Sequence, residues 1–174
     1  RGTSMRWIWI DGFEQFESGR RAVAVKNISL AEEHLHHKYP GLPLMPPPLM
    51  IEGMAQTAGI LVGEARSFAE KVILAKIRKA RFDRRVVPGD RLRYEAEIET
   101  INEAGAATRG EVFCNDRLIG RIDLFFSHVD QNLSGLQFPK ENFVFTEQFK
   151  ALLASIQGDL ERPRNRPQEK ESHP

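Results

Sequence analysis

Glu52 is a lone acid among Met50, Ile51, Met54, Ala55, Ala58, Ile60, Leu61 and Val62. A carboxyl in such company is costly unless it is paired, hydrogen-bonded or held neutral. The same conditions turn a carboxyl into a general acid or base. Just upstream stand His34, His36, His37 and Lys38, groups able to move a proton or pair with an acid. Gln56, one helical turn beyond Glu52, reads as a hydrogen-bonding partner for that acid or for nearby backbone. Three histidines in four positions at a loop, without cysteine or acid at ligand spacing, read as solvated, and no metal is expected. A basic run of Arg78, Lys79, Arg81, Arg84 and Arg85 offers a docking face for an acidic partner, against the plainer reading of a solvated strand and turn.

The elements that must position these groups follow from pattern. Residues 38–48 hold five prolines, which excludes helix and inner strand there and lets Pro48 open a helix. The helix is expected from about Leu49 to about Phe68. It is apolar on most sides, with Glu52, Gln56, Gly59 and Gly63 sharing one face. Ahead of it, Arg6–Phe16 and Ala22–Ile28 read as a hairpin about the turn Glu17–Arg20. Ser29, with Glu32 three residues later, reads as a capping box for a helical turn over Ala31–Leu35. After the helix, Val72–Phe82, Leu92–Ile98, Ala106–Cys114 and Leu118–Phe126 read as four strands. They are separated by Pro88-Gly89-Asp90, Asn102–Gly105 and Asn115-Asp116, the spacing of an antiparallel meander. An apolar helix followed by such strands implies an α+β fold: a curved antiparallel sheet wrapped around one long central helix. One such layer leaves an edge strand and a helix face open to a second copy.

The chain has 174 residues, enough for one domain with a real core. Residues 1–5 are set aside as foreign to the fold and 6–129 form the domain. Residues 130–157 read as an extension with a short helix at Thr146–Ile156, and 158–174 as a flexible polar tail. Phe138, Phe143 and Phe145 read as packing groups. A net charge of +1 excludes general attraction to polyanions, and no nucleic-acid motif is present. Cys114 is the single cysteine, so no internal disulfide forms, and a reducing cytoplasm is the expected home. No run is long enough to span a membrane.

Lys38-Tyr39-Pro40-Gly41-Leu42-Pro43-Leu44-Met45-Pro46-Pro47, followed by Ile51-Glu52-Gly53-Met54-Ala55-Gln56, resembles the motif of the (3R)-hydroxyacyl-[acyl-carrier-protein] dehydratases of fatty acid synthesis. That motif runs His-Phe-Pro-Gly-x-Pro-[Ile/Val]-Met-Pro-Gly and continues into a helix with a Glu or Asp before Ala-Met-Ala-Gln. Ala22–Ile28 and Ala80–Leu92 extend the resemblance over about Arg6 to Phe126. It implies the hot-dog fold, a homodimer or trimer of dimers, no cofactor, and substrates carried as acyl-carrier-protein or coenzyme A thioesters. It also implies a mechanism. The motif His removes the α-proton, the helix acid from the partner subunit handles the departing 3-hydroxyl, and the backbone N–H of the second Gly polarises the carbonyl.

Glu52 occupies the acid position, with Gln56 and Gly41 in supporting places. Lys38 stands at the base position and Pro47, which has no N–H, at the oxyanion position. Several readings stand open. His37, or His36, serves as surrogate base in a dehydratase; the chain is a non-catalytic acyl-thioester or carrier binder, or lends Glu52 to an active relative; Lys38 takes a new role beside Glu52; or the scaffold hydrolyses thioesters. A plain Glu52–Lys38 ion pair across a dimer interface is the chemically silent alternative.

Overall fold

The structure is a computed structural model that describes residues 8–37, 41–129, 132–133, 136–137, 150–151 and 153–154. The expected helix over Thr146–Ile156 is seen only at 150–151 and 153–154. Leu153 there is buried in the same hydrophobic core as the rest of the chain. Residues 1–5, 158–174 and the aromatic positions 138, 143 and 145 lie outside the described residues.

Strands β1 (Gly12–Glu17) and β2 (Arg21–Asn27) form the first hairpin, with Gly19 at a positive φ in its turn. Ile8, Trp9 and Ile10, ahead of β1, are not strand, contrary to their β-forming composition. Trp9 and Ile10 are buried, and the Trp9 N–H leaves the ladder to donate to the Gln56 side chain. A short helix α1 (His34–His37) follows, later than the expected turn at Ala31–Leu35. The Ser29 hydroxyl does accept from the Ala31 N–H, but the Glu32 carboxylate goes to Lys26 instead of closing a capping box.

Helix α2 (Pro47–Glu64) starts on the prolines themselves and ends sooner than its apolar pattern suggests. Ser67 and Phe68 adopt left-handed φ, and the Phe68 N–H bonds back to the Gly63 carbonyl at 2.8 Å, which closes the helix. Four long strands follow: β3 (Lys71–Phe82), β4 (Arg91–Ile101), β5 (Gly105–Cys114) and β6 (Arg117–Val129), then a two-residue ladder of β7 (Asn132–Leu133) with β8 (Leu136–Gln137). The main sheet is antiparallel in the order β1-β2-β4-β5-β6-β3. Only β4–β5–β6 is a meander. Pro88-Gly89-Asp90 does not turn a hairpin but carries the chain from one edge of the sheet to its middle. Asp90 fixes that crossing: its buried carboxylate accepts from the Val87 N–H and the Asn115 amide.

The sheet wraps α2 closely. A Cβ on Gly53 would lie 2.4 Å from the Tyr94 ring, and one on Gly110 would lie 2.5 Å from the Met54 thioether. Met54, Ala58, Leu61, Leu92, Tyr94, Ile122 and Leu124 are fully buried between helix and sheet. The open side of the helix is broader than the Glu52–Gln56–Gly59–Gly63 seam. Ile51, Glu52, Ala55, Gln56 and Gly59 are half-buried, while Gly63 is fully covered. At the sheet's edge, β3 is exposed on both faces from Leu74 to Arg81, with Leu74 and Ile77 among its open side chains. The outer face of the sheet carries ion pairs, Arg21 and Arg93 on Glu95 and Arg78 and Arg109 on Glu99.

Two expectations follow from this packing. Gly53→Ala drives a methyl into the Tyr94 ring and costs about 1–3 kcal/mol. A double-mutant cycle with Tyr94→Leu, read by urea unfolding, recovers part of that cost as a coupling between the two sites. Cys114 is fully buried on β5, and burial, with Asp90 nearby, pushes its thiol up to about 11. The unfolded thiol titrates near roughly 8.5, so the unfolded state loses its proton first as pH rises. The native state therefore keeps its full advantage below that value and loses stability toward pH 11. Cys114→Ala flattens this alkaline loss, as read from urea midpoints measured over that range.

Candidate functional site

Glu52 lies on the half-open side of α2, one turn inside the helix. The Gln56 Nε2 donates to Glu52 Oε1 at 2.7 Å, while Gln56 Oε1 accepts the Trp9 N–H, also at 2.7 Å. The amide is thus oriented from its far end. With the Trp9 N–H fixing its oxygen, only its NH2 can face the acid, so the acid oxygen it meets is an acceptor. Glu52 Oε2 carries no hydrogen bond among the described residues.

The helix N-terminus beside this acid is closed. A helix start normally offers about four free N–H groups. Here Pro47 and Pro48 have none, and the Leu49 and Met50 N–H groups both turn to the Pro46 carbonyl, at 3.0 and 3.4 Å. The helix dipole still points positive end outward, but it has no hydrogen to give.

Trp9 also anchors a partly buried charged cluster that the pattern reading missed. Lys26, 6% exposed, places Nζ 2.7 Å from Glu32 Oε1 and 4.5 Å from the Trp9 ring centre. His34 stacks on the same ring, centroids 4.9 Å apart, with Nε2 3.4 Å from Glu32 Oε2. A lone lysine in the apolar run AVAVKNI was the available signal, since a buried ammonium needs an acid. His36 is separate: its Nε2 sits 2.7 Å from the Leu30 carbonyl. Among the described residues no set of three His, Cys, Asp or Glu side chains could hold a metal. His37 ends α1; Lys38 lies outside the described residues. Gly41 takes φ +81 in the loop, where its missing Cβ removes the strain of that conformation.

The basic run does not form one face. Arg78 is spent on Glu99 at 3.1 Å and Arg81 on Asp83 at 3.1 Å. Lys79 and Arg81 line a cleft of ≈ 380 Å³ with Leu118, Gly120 and Arg121. Arg84 and Arg85 open instead onto a cleft of ≈ 490 Å³ walled by the Pro-rich loop and the start of α2.

Two relatives align with most of this chain. The 3-hydroxyacyl-[acyl-carrier-protein] dehydratase FabZ of Pelotomaculum thermopropionicum is 37% identical over 122 residues, covering 70% of this chain and 87% of the relative. Its counterpart from Symbiobacterium thermophilum is 39% identical over 125 residues, covering 71% and 88%. A family model for the FabA-like domain matches residues 8–123. The chain belongs to the FabA-like family of 3-hydroxyacyl-[acyl-carrier-protein] dehydratases. Solved structures agree on the hot-dog fold of this family. The dehydratase heterocomplex ApeI:P from Xenorhabdus doucetiae aligns at TM-score 0.60, with 18% identity, covering 71% of this chain and 84% of that one. The Streptococcus mutans protein smu.793, bound to acetyl CoA, aligns at 0.57, with 9% identity, covering 73% and 94%. In this family member no described helix is long and apolar enough to cross a membrane.

Gln56→Ala strips Glu52 and the Trp9 N–H of their partner together. The half-buried position makes the expected loss about 1–3 kcal/mol, measured by thermal or urea unfolding.

Proposed function

We propose that this chain binds 3-hydroxyacyl thioesters but does not dehydrate them unaided, and that it supplies Glu52 to a composite site whose other half comes from an active dehydratase. The observation that carries this is the closed start of α2. The family's carbonyl donor is a backbone N–H at Pro47, where there is none, and the next donors along are held by Pro46. Lys38 at the base position removes the second group of the same half-site. The acid half is intact and oriented by Gln56.

Dehydration removes a proton from Cα and the hydroxyl from Cβ, forms the Cα–Cβ double bond and releases water. In the composite site the relative's histidine takes the Cα proton and its backbone N–H polarises the thioester carbonyl. The Glu52 carboxyl gives a proton to the departing hydroxyl through Oε2, the oxygen Gln56 leaves free. Pairing uses β3, long and open on both faces, with the uncovered strip of α2 beside it. Alone, the chain forms a homodimer through the same edge, with two acid halves and no complete site.

Two measurements test this, both following crotonyl-thioester hydration by loss of the conjugated absorbance. The homodimer gives no turnover, and Lys38→His with Pro47→Gly restores it. Co-expression with a family dehydratase whose own helix acid is changed to Gln gives turnover that disappears with Glu52→Gln. Turnover by the unaltered homodimer, abolished by His37→Ala, would overturn the reading in favour of a surrogate base.

A further inference from the structure

The edge strand β3 has two unlike sides. Antiparallel register partners share one side of a sheet. Leu74, Ile77 and Ala80 are partnered by Phe126, Leu124 and Ile122, which are buried, so they carry the apolar inner side out to the edge. Lys76, Lys79 and Arg81 are partnered by Phe125, Asp123 and Arg121 on the outer side. From Leu74 to Phe82 the strand holds four cations, Arg78 among them, and no acid. Arg78 is held by Glu99 and Arg81 by Asp83, while Lys76 and Lys79 have no ion pair among the described residues. Charge alone would blunt an edge against pairing. Blunting does not call for Leu74 and Ile77 to stand open on the same strand. The apolar side fits a pairing strand, and the cations bear on which strand that is.

We propose that β3 selects its partner by charge: a hot-dog chain whose corresponding strand has the same apolar inner side but carries Asp or Glu on its outer side. This rests on the β3 pairing of the composite-site reading and says what kind of chain fills it. Two-fold symmetry decides the matter. A homodimer lays an antiparallel edge strand against itself, so one stretch occupies both sides of the seam. Lys76, Arg78, Lys79 and Arg81 then meet their own copies, and like charges across a strand pair are destabilising. Asp123, the register partner of Lys79, lies on β6, one strand back from the seam. Glu99 and Glu111 are already matched by Arg109 and Arg121. An acidic strand turns the repulsion into attraction and buries the same apolar side. The inner side thus supplies affinity and the outer side supplies choice. The homodimer forms, but as the weaker of the two assemblies.

The test uses the full chain, sedimentation equilibrium and native mass spectrometry. A chain carrying Lys76→Glu, Lys79→Glu and Arg81→Glu stands for the acidic-edged partner. Mixed with the unaltered chain in equal amounts at low salt, it is expected to give heterodimers in clear excess of the half that random mixing gives. Raising salt from about 0.1 M to about 1 M shortens the screening length from about 10 Å to about 3 Å, and is expected to return the mixture toward random. Lys76→Gln with Lys79→Gln removes charge and adds none. That variant is expected to self-associate several-fold more tightly than the unaltered chain at the lower salt. Ile77→Asp in both chains is expected to abolish the heterodimer. Random mixing at low salt, monomers alone in the mixture, or unchanged self-association of the neutral variant would overturn the proposal. So would heterodimers that survive Ile77→Asp, which would put the seam on another surface. No turnover is measured here. Preferred heterodimers with no turnover on co-expression would sink the composite site and leave the charge selection standing; turnover with random mixing would do the reverse.

Discussion

An eighteen-residue helix with apolar groups on most sides can exist in water only inside something. The sheet supplies that enclosure by coming closer than ordinary side chains allow. Tyr94 presses on the bare backbone at Gly53, and the Met54 side chain occupies the space a Cβ of Gly110 would take. These contacts set the depth and rotation of α2. They put Met54, Ala58 and Leu61 against the sheet and turn Ile51, Glu52, Ala55, Gln56 and Gly59 the other way. The acid sits on the open side because the glycines and the buried stripe leave it no other.

That open side is a debt left by a one-layer fold. Six strands wrap most of the helix, yet β3 keeps both faces exposed at the edge and the Glu52 strip stays half-covered. The opposite edge is better protected: β1 is six residues long, bulged between Phe13 and Gln15, and lined with acids. The two edges of the sheet are therefore unlike, and only β3 presents a long open strand. Glu52 is tolerated because it is neither alone nor fully buried: Gln56 donates to it and the Trp9 backbone holds Gln56 in place.

Much of this was legible in the residues. The Pro-rich loop, the apolar helix, the alternation in Arg91–Ile101 and the turns between the later strands carry local signals, and local signals survive folding. What escaped was tertiary. β3 pairs with β6 instead of β4, a choice made by the Asp90 anchor and the sheet's closure rather than by any short-range pattern. The Trp9 run has the composition of a strand but gives its N–H to a helix side chain 47 positions away. Glu32 had the spacing of a capping box and was claimed by Lys26, whose buried ammonium needs a carboxylate more than a helix end does. The basic run looked continuous along the chain, yet Glu99 takes Arg78, and the end of β3 at Phe82 parts Lys79 and Arg81 from Arg84 and Arg85, which line another cleft.

The prolines at the start of α2 do two things at once. As rigid residues with helical φ they fix where the helix begins and how the loop meets it. As residues without N–H they remove the donors that a helix start would offer, and the Pro46 carbonyl occupies the next two. Shape and hydrogen-bonding capacity are usually retained or lost together; here they separate. A site assembled from two subunits can tolerate that separation, because each subunit supplies only part of the chemistry. In the proposed composite site the acid half needs only a support of its own that is independent of the helix start. It has one: Gln56, one turn further along the same face and fixed in turn by the Trp9 backbone, holds Glu52 through contacts that involve none of Pro46, Pro47 or Pro48.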